Sequence, residues 1–180
     1  MNEIALAIRV LMALVFLTAA LGKIRRRLAF QGVVANYRLM PESAVPVFAL
    51  LLPLVEAAVA AALLFAPPPV PEVSAATLLV LFAAAMAINI WRGRRSIDCG
   101  CFQSALKQTL SWTLVARNVG LALLLAIPAA APEGLLPESG AAEALLIGTV
   151  LFVLLQTMNI LWSVVPAWRL RGSLATGDGR

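Results

Sequence analysis

Five apolar stretches dominate this sequence, and each is long enough, or nearly so, to cross a bilayer as a helix. They cover about residues 4–22, 45–66, 73–91, 112–131 and 142–165. A transmembrane helix needs about 20 mostly apolar residues, and backbone groups in hydrocarbon must find their hydrogen-bond partners within the protein. The alternating pattern of a membrane β-barrel is absent. The sequence therefore predicts an all-α, polytopic transmembrane bundle of five helices.

Composition excludes an ordinary soluble domain, since 62% of the 180 residues are hydrophobic and 13% are charged. We expect one transmembrane domain over residues 1–171 and a polar tail over residues 172–180. The net charge is +5, but the basic residues cluster at the ends of the apolar stretches. That distribution is typical of membrane topology signals and not of nucleic-acid binding. Membrane lipid is thus an expected partner, and nucleic acid is not.

The positions of the basic residues predict the orientation of the bundle. Lys and Arg follow the first, third and fifth stretches, at residues 23–38, 92–107 and 169–171. The alternate loops, at residues 67–72 and 132–141, contain neither. Because basic loops stay on the cytoplasmic side, we expect a periplasmic N-terminus and a cytoplasmic C-terminus. The first stretch is preceded by Asn2-Glu3 and not by basic residues, so we interpret it as a retained helix and not as a signal peptide.

The only two cysteines, Cys99 and Cys101, are separated by one glycine and follow the basic run at residues 92–95. A disulfide between them would close a very small ring, so we expect it to be strained and easily reduced and to add little to the stability of the fold. Paired cysteines beside charges favour redox chemistry, and this pair is the candidate catalytic group. Inert packing and an intermolecular metal site are the alternatives. A four-ligand zinc site within the chain is not expected, because there is no histidine and no further cysteine.

Glu56 falls near the middle of the second apolar stretch, where a carboxylate facing lipid would be costly. We expect it to face the bundle interior, to be protonated, or to pair with a cation. Counting along antiparallel helices at ~1.5 Å per residue puts Arg9 and Arg117 within about 8–10 Å of its level, so these are the candidate partners. Two interpretations stay open, namely proton handling and a buried ion pair that fixes helix register.

Polar residues of the fifth stretch fall on one helical face, at Thr149, Gln156, Asn159 and Ser163. We expect this face to meet protein through interhelical hydrogen bonds, with the lining of a quinone or water pocket as the alternative. Asn89 and Asn118, near the inner ends of the third and fourth stretches, are expected to help hold the cysteine segment.

A series of short segments occurs in order along the chain: residues 17–23 (LTAALGK), 36–41 (NYRLMP), 52–56 (LPLVE), 89–93 (NIWRG), 97–102 (IDCGCF), 110–112 (LSW) and 117–118 (RN). Together they resemble the MauE family of methylamine utilisation proteins, which is related to the DoxX-like membrane proteins. Gln103 departs from the glycine expected after the phenylalanine of the cysteine motif. The departure leaves the cysteine pair itself intact.

The resemblance implies a bacterial inner-membrane protein that supports the maturation of periplasmic methylamine dehydrogenase, whose small subunit is rich in disulfides. It also implies two partners, the thioredoxin-like protein MauD and, directly or indirectly, that small subunit. We therefore expect disulfide formation or isomerisation by thiol–disulfide exchange through Cys99 and Cys101. Because the predicted topology puts this pair at the cytoplasmic face, we favour a relay of reducing equivalents across the membrane. A non-redox scaffold for MauD and a quinone-coupled dithiol oxidase are the alternatives, and a quinone is the one candidate cofactor.

Overall fold

The computed structural model describes residues 2–94, 110–130 and 140–175, with side chains from Glu3 to Leu161 in these ranges. The described residues form helices and no strand: α1 (Asn2–Arg25), α2 (Arg27–Tyr37), α3 (Val45–Phe65), α4 (Val70–Trp91), α5 (Trp112–Leu124), α6 (Ala126–Ala129) and α7 (Ala141–Ala175). A short 3-10 turn, Glu42–Ala44, precedes α3. The final helix continues four residues into the predicted tail at residues 172–180.

Five helical segments are long and apolar enough to cross a membrane: Glu3–Arg25, Glu42–Phe65, Val70–Trp91, Trp112–Ala129 and Ala141–Leu161. The predicted five-helix membrane bundle is confirmed. The fourth span is divided at Leu125 into α5 and α6. The division follows from Pro128, which has no N–H to donate to the carbonyl of Leu124 and whose ring crowds that carbonyl.

The first helix lies at the centre of the bundle. In α1, 72% of the apolar window is buried, against 11% in α7. Helix α1 packs mainly against α3 and α7, whereas α4 packs mainly against α5. The largest core cluster joins Met12 and Phe16 of α1 to Leu63 of α3 and Leu79 of α4. Most of the outer surface is therefore apolar and available to lipid.

The segment between the first two spans contains a helix that was not among the predicted elements. Helix α2 is 11 residues long and buries Phe30 and Val34 against Val45 and Ala49 of α3. It ends at Tyr37, and the following C-cap residue, Arg38, adopts the left-handed conformation with φ 49°. Its short length gives too few turns for the apolar periodicity to stand out beside the long membrane spans.

Helix α4 ends in a Schellman motif. Gly93 has a φ of 74°, a conformation that glycine adopts without a steric penalty. Its N–H donates to the carbonyl of Ile90, and the N–H of Arg94 donates to the carbonyl of Asn89. These bonds fix the direction in which the chain leaves the helix.

The start of α5 lies beside the end of α4. Ser111 is the N-cap residue, and its hydroxyl accepts a hydrogen bond from the N–H of Leu114 at 3.4 Å. The preceding residue, Leu110, is buried against Met86 and Ile90 of α4. Both described ends of the segment at residues 95–109 therefore lie at the same end of the bundle.

Candidate functional site

Lys23 of α1 and Glu56 of α3 form a buried ion pair. Nζ of Lys23 lies 2.6 Å from Oε1 and 2.7 Å from Oε2 of Glu56. The two side chains are 4% and 1% exposed. Because one ammonium group satisfies both carboxylate oxygens, much of the cost of placing these charges among apolar side chains is offset.

The structure pairs Glu56 with Lys23 and not with Arg9 or Arg117, so the predicted partners were wrong. Because Lys23 begins a basic run, the sequence predicted it in a cytoplasmic loop. Helix α1 in fact continues to Arg25, and its last turns reach the level of Glu56 in the middle of α3. The level at which two helices meet depends on how they pack, which residue counting from their ends does not capture.

Arg9 is buried at the opposite end of α1, where it caps α3. Its Nε donates to the carbonyl of Leu63 at 2.6 Å, and its Nη2 donates to the carbonyl of Ala66. The Nε atom also lies 3.3 Å from Oε1 of Glu72 at the start of α4. Glu72 is 1% exposed, although its position after a proline-rich segment predicted an outside loop. Arg9 therefore ties α1, α3 and α4 together.

Arg117 connects α5 to α7. Its Nη1 donates to Oδ1 of Asn159 at 2.6 Å, and Nδ2 of Asn159 donates to Oε1 of Gln156 at 3.2 Å. The predicted interhelical hydrogen bonding of the polar face is thus present at Asn159. Thr149 is instead exposed, and its hydroxyl bonds within α7. The side chain of Ser163 lies outside the described residues.

A cavity of about 420 Å³ lies between α2, α3 and α4, with Lys23 in its wall. We call it the aromatic cavity, because its wall includes Phe30, Tyr37, Phe48 and Phe82. Its volume falls within the usual range for small-molecule sites. The other wall residues are apolar: Val33, Val34, Leu39, Met40, Leu51, Leu52, Val55, Leu78, Leu81, Ala85 and Met86.

Lys23 joins the ion pair to the aromatic cavity. Its Nζ lies 5.5 Å from the ring centroid of Phe30 and 5.6 Å from that of Phe82. An ammonium group near aromatic ring faces is attracted by their quadrupoles. The positive charge of Lys23 is therefore shared between Glu56 on one side and the cavity wall on the other.

A smaller void of about 30 Å³ adjoins the other side of the ion pair, bordered by Glu56, Arg117 and Asn118 among others. It is large enough for one water molecule and offers polar groups to bind it. The side chain of Asn118 donates to the carbonyl of Leu114 within its own helix at 2.8 Å. Among the described residues, no group of three or more His, Cys, Asp or Glu is placed to hold a metal ion.

Cys99 and Cys101, the predicted redox pair, lie outside the described residues. The described ends of their segment lie at the end of the bundle that holds the aromatic cavity. Leu110 packs on Met86, which lines the cavity, and Arg94 is bonded to the main chain of Asn89 one turn further along α4. The Asn89 side chain itself donates to the carbonyl of Ala85 within α4. The main chain of Asn89, and not its side chain, therefore holds the described start of this segment.

Comparison with known proteins gives one consistent result. The family model described as "Methylamine utilisation protein MauE" matches residues 1–131. The MauE protein of Paracoccus denitrificans is 47% identical over 167 residues, which cover 89% of this chain and 88% of that protein. The MauE protein of Paracoccus versutus is 42% identical over 163 residues, covering 86% and 85%. That of Methylorubrum extorquens is 47% identical over 120 residues, covering 64% and 63%. No solved structure shows significant similarity.

Proposed function

This chain belongs to the MauE family of methylamine utilisation proteins, and within that role we propose that it carries out thiol–disulfide exchange through Cys99 and Cys101. The partner is a thioredoxin-like protein of the MauD type. The exchange supports disulfide formation or isomerisation in the small subunit of methylamine dehydrogenase. The observation that carries this proposal is the Cys-Gly-Cys motif, which contains the only cysteines of a membrane-embedded chain.

The exchange balances in atoms and electrons. A thiolate of one cysteine attacks a sulfur of the partner's disulfide, which forms a mixed disulfide and releases the other partner sulfur as a thiolate that takes up a proton. The second cysteine then loses its proton and attacks the mixed disulfide. The products are a Cys99–Cys101 disulfide and a partner dithiol, so two electrons have passed to the partner. The reverse sequence oxidises the partner.

The surroundings of the segment support this chemistry. The chain that carries the motif leaves and re-enters the described bundle at the caps formed by Gly93 and Ser111. In the sequence, Arg92, Arg94 and Arg95 precede the motif and favour the thiolate form that acts as the nucleophile, whereas Asp98, directly before Cys99, opposes it. The predicted topology puts this end on the cytoplasmic side, which favours a relay of reducing equivalents across the membrane.

Trapping of the mixed disulfide tests the proposal. Cys99→Ser and Cys101→Ser are each expressed with the MauD-like partner, and membranes are analysed by non-reducing electrophoresis. We expect one single variant to give a reducible band at the summed mass, because the resolving cysteine is missing. The double serine variant is the matched control and should give no such band.

The activity of methylamine dehydrogenase in the same strains separates exchange from a scaffold role. Thiol exchange requires that the double serine variant, present at the wild-type level in membranes, yields inactive dehydrogenase. If neither single variant traps a partner and the double variant yields active enzyme, thiol exchange is wrong and the scaffold function replaces it.

A further inference from the structure

We propose that the aromatic cavity binds the ring of a lipid-soluble quinone, with the ammonium group of Lys23 donating a hydrogen bond to a ring carbonyl. The proposal concerns binding at residues of α1 to α4. It goes beyond thiol exchange and does not depend on Cys99 or Cys101.

The first argument is the hydrogen-bonding capacity of Lys23. An ammonium group has three N–H donors. Two of them donate to the two carboxylate oxygens of Glu56. The rings of Phe30 and Phe82, in the cavity wall, also lie near the ammonium group. Within the described part of the chain, the third donor therefore has aromatic ring faces near it and no oxygen acceptor. A carbonyl oxygen entering the cavity would accept this hydrogen bond.

The second argument is the shape and chemistry of the wall. The cavity combines four aromatic side chains with aliphatic ones, and Lys23 is its one charged residue. Such a wall suits a flat ring, because aromatic side chains stack on ring faces without needing hydrogen bonds. The Lys23 ammonium and the Tyr37 hydroxyl are the polar side-chain groups of the wall, so a strongly polar or charged ligand would lose its hydration here for few hydrogen bonds in return. The wall thus favours an apolar ring that carries carbonyl groups.

The third argument is access from the membrane. Wall residues of the facing helices α3 and α4 are also exposed at the protein surface, with Leu51 at 51%, Val55 at 45% and Leu81 at 57%. These residues lie in helices long and apolar enough to cross a membrane, so this side of the cavity would face hydrocarbon. A ligand dissolved in the bilayer can enter by this route without crossing water. A lipid acyl chain could enter too, but its terminal methyl end offers no acceptor for Lys23.

Photolabelling with an azido-ubiquinone tests the proposal. The full-length Cys99→Ser/Cys101→Ser protein in lipid nanodiscs is labelled, digested and mapped by mass spectrometry, so that thiol chemistry plays no part. We expect the label on peptides of α2, α3 and α4 that line the cavity. Decylubiquinone should compete for it, and palmitate at the same concentration should not. Label spread over all lipid-facing helices, or equal competition by palmitate, overturns the proposal.

Two adjacent alanines give a matched pair of variants. Ala85 lines the cavity, whereas Ala84 is exposed and is not among the residues of the wall. Ala85→Phe should fill the cavity and lower labelling about tenfold or more, and Ala84→Phe should leave it unchanged. Equal labelling of the two variants, both shown to be folded by gel filtration, overturns the proposal.

The role of Lys23 needs a variant that does not leave Glu56 alone. Lys23→Met/Glu56→Gln removes both charges and keeps side chains of similar size. We expect it to lower labelling about tenfold, in keeping with the loss of one hydrogen bond from a charged donor. Unchanged labelling in this variant overturns the assignment of Lys23 as the donor. Because the test uses cysteine-free protein, quinone binding and thiol exchange can each fail without the other.

Discussion

Nζ of Lys23 lies within hydrogen-bond distance of both carboxylate oxygens of Glu56, at 2.6 and 2.7 Å, which fixes the last turns of α1 against the middle of α3. The pair stands between the aromatic cavity on one side and the small void near Arg117 on the other. It therefore sets the register of two helices and also presents an ammonium group to the aromatic cavity.

Removing one partner of this pair should cost far more than removing both. Lys23→Met leaves the carboxylate of Glu56 buried without a cation, a change that typically costs about 3–5 kcal/mol. Lys23→Met/Glu56→Gln should recover most of that loss, since no uncompensated charge is left. Thermal unfolding in detergent measures both. A double variant as unstable as the single one would show that the carboxylate is not the source of the loss.

Substitutions at Glu56 should separate charge from length. Glu56→Asp keeps the negative charge for Lys23, whereas Glu56→Gln removes it and leaves the ammonium without a counter-ion. We expect Glu56→Gln to impair dehydrogenase maturation more than Glu56→Asp does. Methylamine dehydrogenase activity, normalised to the amount of variant in membranes, gives the comparison. Normal maturation with Glu56→Gln would reduce this residue to a tolerated polar site.

At the other end of α1, Arg9 should matter more than Glu72. Arg9 donates to three main-chain carbonyls at the end of α3, those of Ala62, Leu63 and Ala66, as well as pairing with Glu72. Arg9→Met leaves these carbonyls and the carboxylate of Glu72 without their partner, whereas Glu72→Gln keeps the hydrogen bonds to the carbonyls. We expect the melting temperature to fall more for Arg9→Met than for Glu72→Gln, with Arg9→Lys between them. A larger fall for Glu72→Gln would contradict the capping role.

Two helical glycines should differ in how well they tolerate substitution by alanine. A Cβ at Gly148 of α7 would lie 2.6 Å from the carbonyl oxygen of Ala7 in α1, and one at Gly120 of α5 would meet nothing within 4 Å. Gly148→Ala must push the two helices apart, which should cost about 1–3 kcal/mol. Gly120→Ala should be neutral or gain up to about 1 kcal/mol from helix propensity. Unfolding curves in detergent check both, and equal effects would rule out the close packing of α1 on α7.

Labelling from outside the cell tests the predicted orientation. Cysteines introduced after Pro69 and near Ser139, in the Cys99→Ser/Cys101→Ser background, should react with a membrane-impermeant maleimide. A cysteine placed at Arg180 should react only after the membrane is opened, because the basic loops are expected inside. Reaction at Arg180 in intact cells would reverse the orientation and put the cysteine motif in the periplasm.

The sequence by itself determined the number of membrane spans and their approximate limits. Hydrocarbon forces each span to satisfy its own backbone hydrogen bonds, so a local property, the length of an apolar stretch, is enough to identify it. Membership in the MauE family was likewise evident from short ordered segments such as residues 97–102.

Tertiary structure decided which charges meet and where a ligand could fit. Glu56 was recognisable as an unusual residue, but the choice of Lys23 over Arg9 depends on the register of α1 against α3, which is set by side chains far apart in sequence. In the same way, the burial of Glu72 depends on its ion pair with Arg9, which lies on another helix. The aromatic cavity could not be predicted at all, because it is the volume that α2, α3 and α4 leave unfilled between them, and no single segment encodes such a volume.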